Sequence, residues 1–225
     1  MTAANLIIIG AGDLAREVYF CALEPHPDAS STFNPLGFIV EPGFEQKPGS
    51  TVEGLPVFSF EEAVEVQQRE SALVVCGIGI PRARAETTAR ARRLMPDAGF
   101  ATVIHKSAVI MPNTTLAEGV YVGCHVSIAT GCRLEAHSVV NFNASIGHDS
   151  VLGPFSVVSP GCLISGRTEI GARSFLGSGA ITYPRSRIGD DCTVSAQGVV
   201  ARKLDDGCRL IAKPNAMILP PDDAP

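Results

Sequence analysis

The chain has 225 residues, 45% of them hydrophobic and 18% charged, with a formal net charge of −5. That length holds one large domain or two small ones, and the composition is that of an ordinary soluble globular chain. The acidic balance argues against broad electrostatic binding to nucleic acid or to an anionic membrane, and no stretch approaches the ~20 apolar residues of a membrane span.

Residues Asn5 to Ile9 read as a strand that ends in the tight turn Gly10-Ala11-Gly12. Asp13 is then placed as the N-cap of a helix with Ala15, Val18, Tyr19 and Ala22 on one face. Pro35 to Val40 and Ala72 to Cys76 read as further strands. Ser59 and Glu62 form a capping box, and Pro81 opens a helix running to about Leu94. Alternating strand and helix predict a small parallel, Rossmann-like α/β sheet over residues 1–98.

From Ile104 the pattern changes. Every sixth residue to Val200 is Leu, Ile or Val in sixteen of seventeen cases, although these types make up only 52 of the 225 residues; Thr182 is the exception. The residue four further on is small or β-branched, as in Ala108, Cys132, Ser138, Ala144, Ser156, Cys162, Ser174 and Cys192, and glycine often follows the aliphatic residue, as at Gly123, Gly147 and Gly177. A period of six means one short strand and a turn per hexad, with three hexads closing a triangular coil. Residues 18 apart then stack at about 4.8 Å, giving a parallel β-helix roughly 25 Å tall. Glycine after the aliphatic residue is read as supplying turn conformations that a side chain would block. Residues 99–219 are assigned to this domain with a C-terminal extension, in which Ala201 to Leu219 leave the hexad pattern, and 220–225 to a flexible tail. The seven cysteines show no CxxC pairing and read as reduced thiols in a cytoplasmic protein.

A prism filled by its own aliphatic ladder has no interior cavity, so chemistry must sit on outer faces, most usefully in grooves between prisms packed as a homotrimer. The segment Asn141 to Asp149 concentrates polar groups in an otherwise bland repeat. A histidine beside a carboxylate suits acyl transfer, because the imidazole takes the acceptor's proton and the carboxylate holds the ring. Neighbours in a strand point apart, so Asp149 assists His148 only if the chain turns there. The alternative is a solvated corner histidine.

The whole chain resembles the sugar acyltransferases of the PglD/NeuD type, in which a small nucleotide-binding domain precedes a left-handed β-helix. The matching segments are Ile9 to Val18, Gly37-Phe38-Ile39, Gly79 to Arg84, Asn141 to Asp149, Ile170-Gly171, Leu176-Gly177 and the Pro214 segment. The resemblance implies transfer of acetyl from acetyl-CoA to a nucleotide-linked amino sugar by a trimer with active sites between subunits. It implies His148 as general base, Asp149 as its partner and Asn141 as a group that positions the acceptor or backbone. CoA is expected along Gly166, Ser178 and Ala196, with Lys213 and Pro214 near the adenine end. The acceptor's nucleotide is expected on Gly10, Gly12, Asp13, Glu41, Gly79 and Arg84, without NAD. The chain departs from the pattern at Asp13-Leu14, Val40-Glu41 and Val157, positions that bear on which acceptor is used. The near rivals are O-acetylation of a sugar, such as a sialic acid, and a trimeric binding module without turnover. A metal on His125 and His137 is not expected, since the His-x4-His pair of zinc-binding β-helices is missing.

Overall fold

The computed structural model describes residues 3–27, 32–41 and 43–212. Lys213, Pro214 and the 220–225 tail lie outside these residues. The α/β part comprises β1 (Ala4–Ile9), α1 (Asp13–Leu23), β2 (Phe33–Ile39), β3 (Thr51–Val52), β4 (Leu55–Phe58), α2 (Phe60–Glu70), β5 (Leu73–Cys76) and α3 (Pro81–Leu94). The sheet order is β3-β4-β2-β1-β5, parallel except for the β3–β4 hairpin, so the expected parallel sheet is mixed at one edge. The capping box of Ser59 and Glu62 opens α2 as expected. Asp13 does not cap α1. Gly12 takes the N-cap, and Asp13 is the first helical residue with its side chain in solvent.

From Val103 the chain winds into a left-handed parallel β-helix of two-residue strands, stacked in three sheets of six, six and seven strands. Register is that of the 18-residue coil: Val139 pairs with Val157, Ser145 with Leu163 and Val151 with Glu169. Ile128, Leu134, Val140, Ile146, Leu152, Val158 and their equivalents form one continuous core. Each such side chain contributes ~1.5–3 kcal/mol of burial. Cys132 and Cys162 fill inner corners and donate their thiols to Gly147 O and Gly177 O, both at 3.2 Å.

Two readings of the repeat are corrected. The glycines after the aliphatic residue are not the left-handed turn residues. The positive φ falls two residues later, at Asn143, Asp149, Arg167 and their equivalents. Gly147 and Gly177 are instead needed for close stacking, since a Cβ on Gly147 would sit 2.4 Å from Gly166 N and one on Gly177 2.5 Å from Ala196 N. Nor does the prism end at Val200. The strands Lys203–Leu204 and Arg209–Leu210 pair with Arg187–Ile188 and Thr193–Val194. The register there is 16 residues, so two residues are missing from one turn and the hexad count slips while the stacking continues.

The three outer faces differ. Tyr121, Val139, Val157 and Phe175 pack against Leu6, Ala15, Val18 and Cys21 of the α/β part. Thr115, Arg133, Val151, Glu169, Arg187 and Lys203 make a polar row. Val109, Ser127, Ser145, Leu163, Ile181 and Val199 make a row without charge, in which Val109, Leu163 and Val199 are exposed.

Arg84 ties the two parts together. It is 0% exposed, and its guanidinium donates to His137 O at 2.7 Å, Cys76 O at 2.6 Å, Ile78 O at 3.1 Å and Gly119 O at 3.4 Å. It therefore has no free donor face for a nucleotide, and the ligand role expected for it does not hold. His137 beside it stacks on Phe155 and meets Phe100 edge-on, and its Nδ1 is buried without a partner. Burial, and then the Arg84 and Arg92 charges, push its pKa down to about 4.

Arg84→Met leaves several buried carbonyls without their charged donor and is expected to cost about 3 kcal/mol, read as a lower midpoint in urea unfolding. The unfolded chain takes a proton at His137 near its ordinary pKa, while the folded chain refuses it until about pH 4. Stability is therefore complete above about pH 6.5 and falls as the pH drops towards 4. Thermal melts across that range are expected to show a steeper acid loss for the parent than for His137→Phe.

Candidate active site

His148 and Asp149 lie at the corner between the Ser145–Ile146 and Val151–Leu152 strands. Asp149 has φ 57°, and this left-handed turn lets two consecutive side chains converge. His148 Nδ1 and Asp149 Oδ2 are 2.9 Å apart. A carboxylate only accepts, so Nδ1 carries the hydrogen and Nε2 presents its lone pair. Arg167 Nε stands 3.7 Å from the same Oδ2. The side chains of His148 and Asp149 are 53% and 52% exposed, so the pair is open on one side.

Gly166 stacks on His148 one coil on. A Cβ at Gly166 would fall 2.6 Å from His148 Nε2, so the imidazole rests against bare backbone. The corresponding N–H groups of Ala172 and Asp190 are taken by Asp190 Oδ1 and Asp206 Oδ1. The N–H of Gly166 has no partner among the described residues. The corner thus joins a ring nitrogen with a free lone pair to a backbone donor with a free hydrogen.

Asn141 is not part of this cluster. It lies at the other corner of the same face, where its Oδ1 accepts from Phe142 N at 2.8 Å and its side chain bonds Glu17 of α1. Burial raises the Glu17 pKa, the Asn141 bond opposes this, and Glu17 Oε2 is buried without a partner. Glu17, Phe20, Leu23, Tyr121, Cys124 and Phe142 line a groove of about 450 Å³ beside it. Nothing in the local pattern of residues points to this groove, because its walls come from α1 and from three successive coils. Ser178 and Ala196 stack at that same corner, so a single chain does not gather them around His148.

In the α/β part, Gly10 (φ 95°) and Gly12 close the turn after β1, and Gly79 follows β5, its Cα flanked by Leu14. The chain leaves β1 for β2 on one side and crosses to β5 on the other. These glycines therefore lie at the carboxyl ends of the strands where the order reverses, the usual place for a ligand in an open α/β sheet. The slot between Gly10, Val40, Glu41, Phe44, Ile78 and Thr87 measures only about 10 Å³, too small to hold a nucleotide base. Glu41 is ion-paired with Arg90, whose guanidinium stacks 4.5 Å over Phe60. Periodicity gave no sign of this arginine pairing. Asp13, fully in solvent at the first turn of α1, presents negative charge where a phosphate would approach. No group of three or more His, Cys, Asp or Glu able to hold a metal occurs among the described residues, and no helix among them is long and apolar enough to cross a membrane.

No protein-family model and no curated protein sequence matches the chain. Solved structures do. The acetyltransferase domain of PglB from Neisseria gonorrhoeae FA1090, in complex with acetyl coenzyme A, is 26% identical over 92% of this chain and 96% of that one, with a TM-score of 0.78. A histidine-to-alanine mutant of the GDP-perosamine N-acetyltransferase from Caulobacter crescentus, in complex with CoA and GDP-perosamine, is 27% identical over 92% and 93%, with a TM-score of 0.64. WeeI from Acinetobacter baumannii AYE shares the fold at 20% identity over 94% and 97%, with a TM-score of 0.80. The resemblance read from the sequence is borne out by these neighbours.

Gly166→Ala is expected to fold with stability within about 0.5 kcal/mol of the parent, as for a surface change, while driving the imidazole off the corner. A crystal structure of the variant checks this, the expected result being loss of the 2.9 Å His148–Asp149 contact.

Proposed function

We propose that this chain, built as the hexapeptide-repeat sugar acyltransferases of the PglD/NeuD type are built, moves acetyl from acetyl-CoA to the amino group of a nucleotide-linked sugar. The observation that carries the reading is the pairing of His148, oriented by Asp149, with the free N–H of Gly166 at one exposed corner. The two ligand-bound neighbours, one with acetyl coenzyme A and one with CoA and GDP-perosamine, support the donor and the acceptor class.

In this reading the acceptor nitrogen attacks the thioester carbonyl and His148 Nε2 takes its proton. Asp149 keeps the Nδ1 hydrogen in place and stabilises the imidazolium that forms. The oxyanion of the tetrahedral intermediate accepts from Gly166 N–H. Collapse breaks the C–S bond, and the imidazolium returns its proton to the CoA thiolate. The acceptor's nucleotide lies at the glycine turns Gly10, Gly12 and Gly79, with Glu41 in reach of a ribose. Asp13 at that helix end disfavours a phosphate there, so in this reading the diphosphate sits beside the turn and away from the helix axis. Asn141, holding Glu17 at the wall of the groove, positions the sugar.

The uncharged row from Val109 to Val199 covers nothing in one chain and is the surface for threefold packing. Its two edges carry His148 and Gly166 on one side and Asn141, Ser178 and Ala196 on the other. Packing on this face brings the edge of one protomer towards the opposite edge of the next, which closes the open side of His148 and gathers the two sets of residues. The CoA arm then runs along Gly166 of one protomer and Ser178 and Ala196 of its neighbour.

The test is CoA thiol release from acetyl-CoA with a panel of UDP-, GDP- and dTDP-linked amino sugars. His148→Ala is expected to lose about 10²–10⁴-fold in kcat with the trimer intact by light scattering. Release only with hydroxyl acceptors would turn the reading to O-acetylation. Silence across both panels, with no acetyl-CoA binding, would sink it in favour of a binding module.

A further inference from the structure

Thr182 is the one polar member of the prism's aliphatic ladder and is 1% exposed. A buried hydroxyl is costly unless it is bonded, and this one is bonded twice. In the coils before and after, the equivalent N–H groups of Gly147 and Tyr183 donate to backbone carbonyls, Ile164 O and Val200 O. Ser165 N–H instead donates to Thr182 Oγ1 at 3.0 Å. Thr182 Oγ1 lies 3.0 Å from Thr168 Oγ1, and Thr168 Oγ1 donates to Ser165 O at 2.7 Å. With the Thr168 hydrogen committed to Ser165 O, the Thr182 hydroxyl donates to Thr168. The three bonds close a ring that grips both the N–H and the C=O of Ser165. Ser150 Oγ adds a fourth contact to Ser165 O at 3.3 Å.

The carbonyl of Ser165 and the N–H of Gly166 belong to one peptide unit. In a trans peptide these two groups point in opposite directions. Holding Ser165 O inward against Thr168 and Ser150 therefore aims Gly166 N–H outward, at the corner where His148 Nε2 lies.

We propose that Thr182 is a positioning residue for acyl transfer, its hydroxyl fixing the Ser165–Gly166 peptide so that Gly166 N–H meets the developing oxyanion. This rests on the reading of His148 and Gly166 as the reacting corner. The residue touches neither donor nor acceptor and acts through Ser165 N–H and through the Thr168 hydroxyl that holds Ser165 O. Valine, nearly the same shape, matches the rest of the ladder and lets Ser165 N–H adopt the backbone bond of its neighbours. The hydroxyl is thus dispensable for folding, and its role is in orientation.

The experiment compares Thr182→Val and Thr182→Ser with the parent, using acetyl-CoA and whichever nucleotide-linked amino sugar the parent turns over. The valine variant is expected to lose about tenfold or more in kcat, with KM for both substrates within about twofold and a melting temperature no lower than the parent's. The serine variant is expected to keep the parent's kcat. A valine variant as fast as the parent, or a serine variant as slow as the valine one, overturns the proposal; the latter would assign the effect to the lost methyl. If the parent moves no acetyl group, the functional reading fails by itself. Crystal structures of the two variants then decide the structural half. A turned Ser165–Gly166 peptide in valine but not in serine supports the inference, and an unmoved peptide in both overturns it.

Discussion

Every coil of the prism must hang its backbone on its neighbour, 18 residues away except at the last turn, where the register is 16. This axial ladder of parallel hydrogen bonds constrains everything else in the molecule. It leaves no room for a side chain at Gly147 or Gly177, where the next coil's backbone comes within 2.4 to 2.5 Å of a virtual Cβ. It also asks one residue per turn to adopt the left-handed conformation, and accepts Asn143, Asp149 and Arg167 there. That last concession has chemical value. A strand would send His148 and Asp149 to opposite sides, whereas the turn at Asp149 brings them to 2.9 Å.

The ladder is indifferent to what the outer faces carry, and the three faces have diverged. One is an apolar bed for the α/β part, locked by Arg84 through four backbone carbonyls. A charge is buried there without a counter-ion. The carbonyl dipoles replace its lost hydration, and burial, followed by the Arg84 and Arg92 charges, pushes the pKa of the packed His137 down to about 4. The polar face needs no partner. The uncharged face has exposed Val109, Leu163 and Val199 without anything to cover them, and both corners that bear candidate functional groups border it.

Polar residues do enter the prism interior, and not all of them are bonded: Ser138 Oγ and Ser156 Oγ are buried without a partner among the described residues. Thr182, Thr168 and Ser150 share their hydrogen bonds within a few ångströms of one corner, and that corner is the one next to His148. A break in a repeat that is otherwise kept for seventeen hexads coincides with the backbone that the imidazole touches.

The β-helix and the pair His148–Asp149 were legible because both are local: a period of six is written into consecutive residues, and the two side chains are neighbours. The capping box of Ser59 and Glu62 and the start of α3 at Pro81 were legible for the same reason. The last coil was missed because two residues dropped from one turn break the count but not the stacking, which follows backbone pairing. Arg84 was expected to contact a nucleotide, and only the packing of the α/β part on the prism buries it beside His137 O and Gly119 O, 53 and 35 residues away. Asn141 read as a companion of His148 from its spacing, yet seven residues carry the chain around a corner, and the tertiary fold gives it Glu17 instead. The sequence by itself determined the repeat, the α/β part before it and the adjacency of His148 and Asp149, since these depend on residues near one another in the chain. Which face is covered, which arginine is buried and which peptide points at His148 depend on contacts across many residues, and these only the tertiary structure decided.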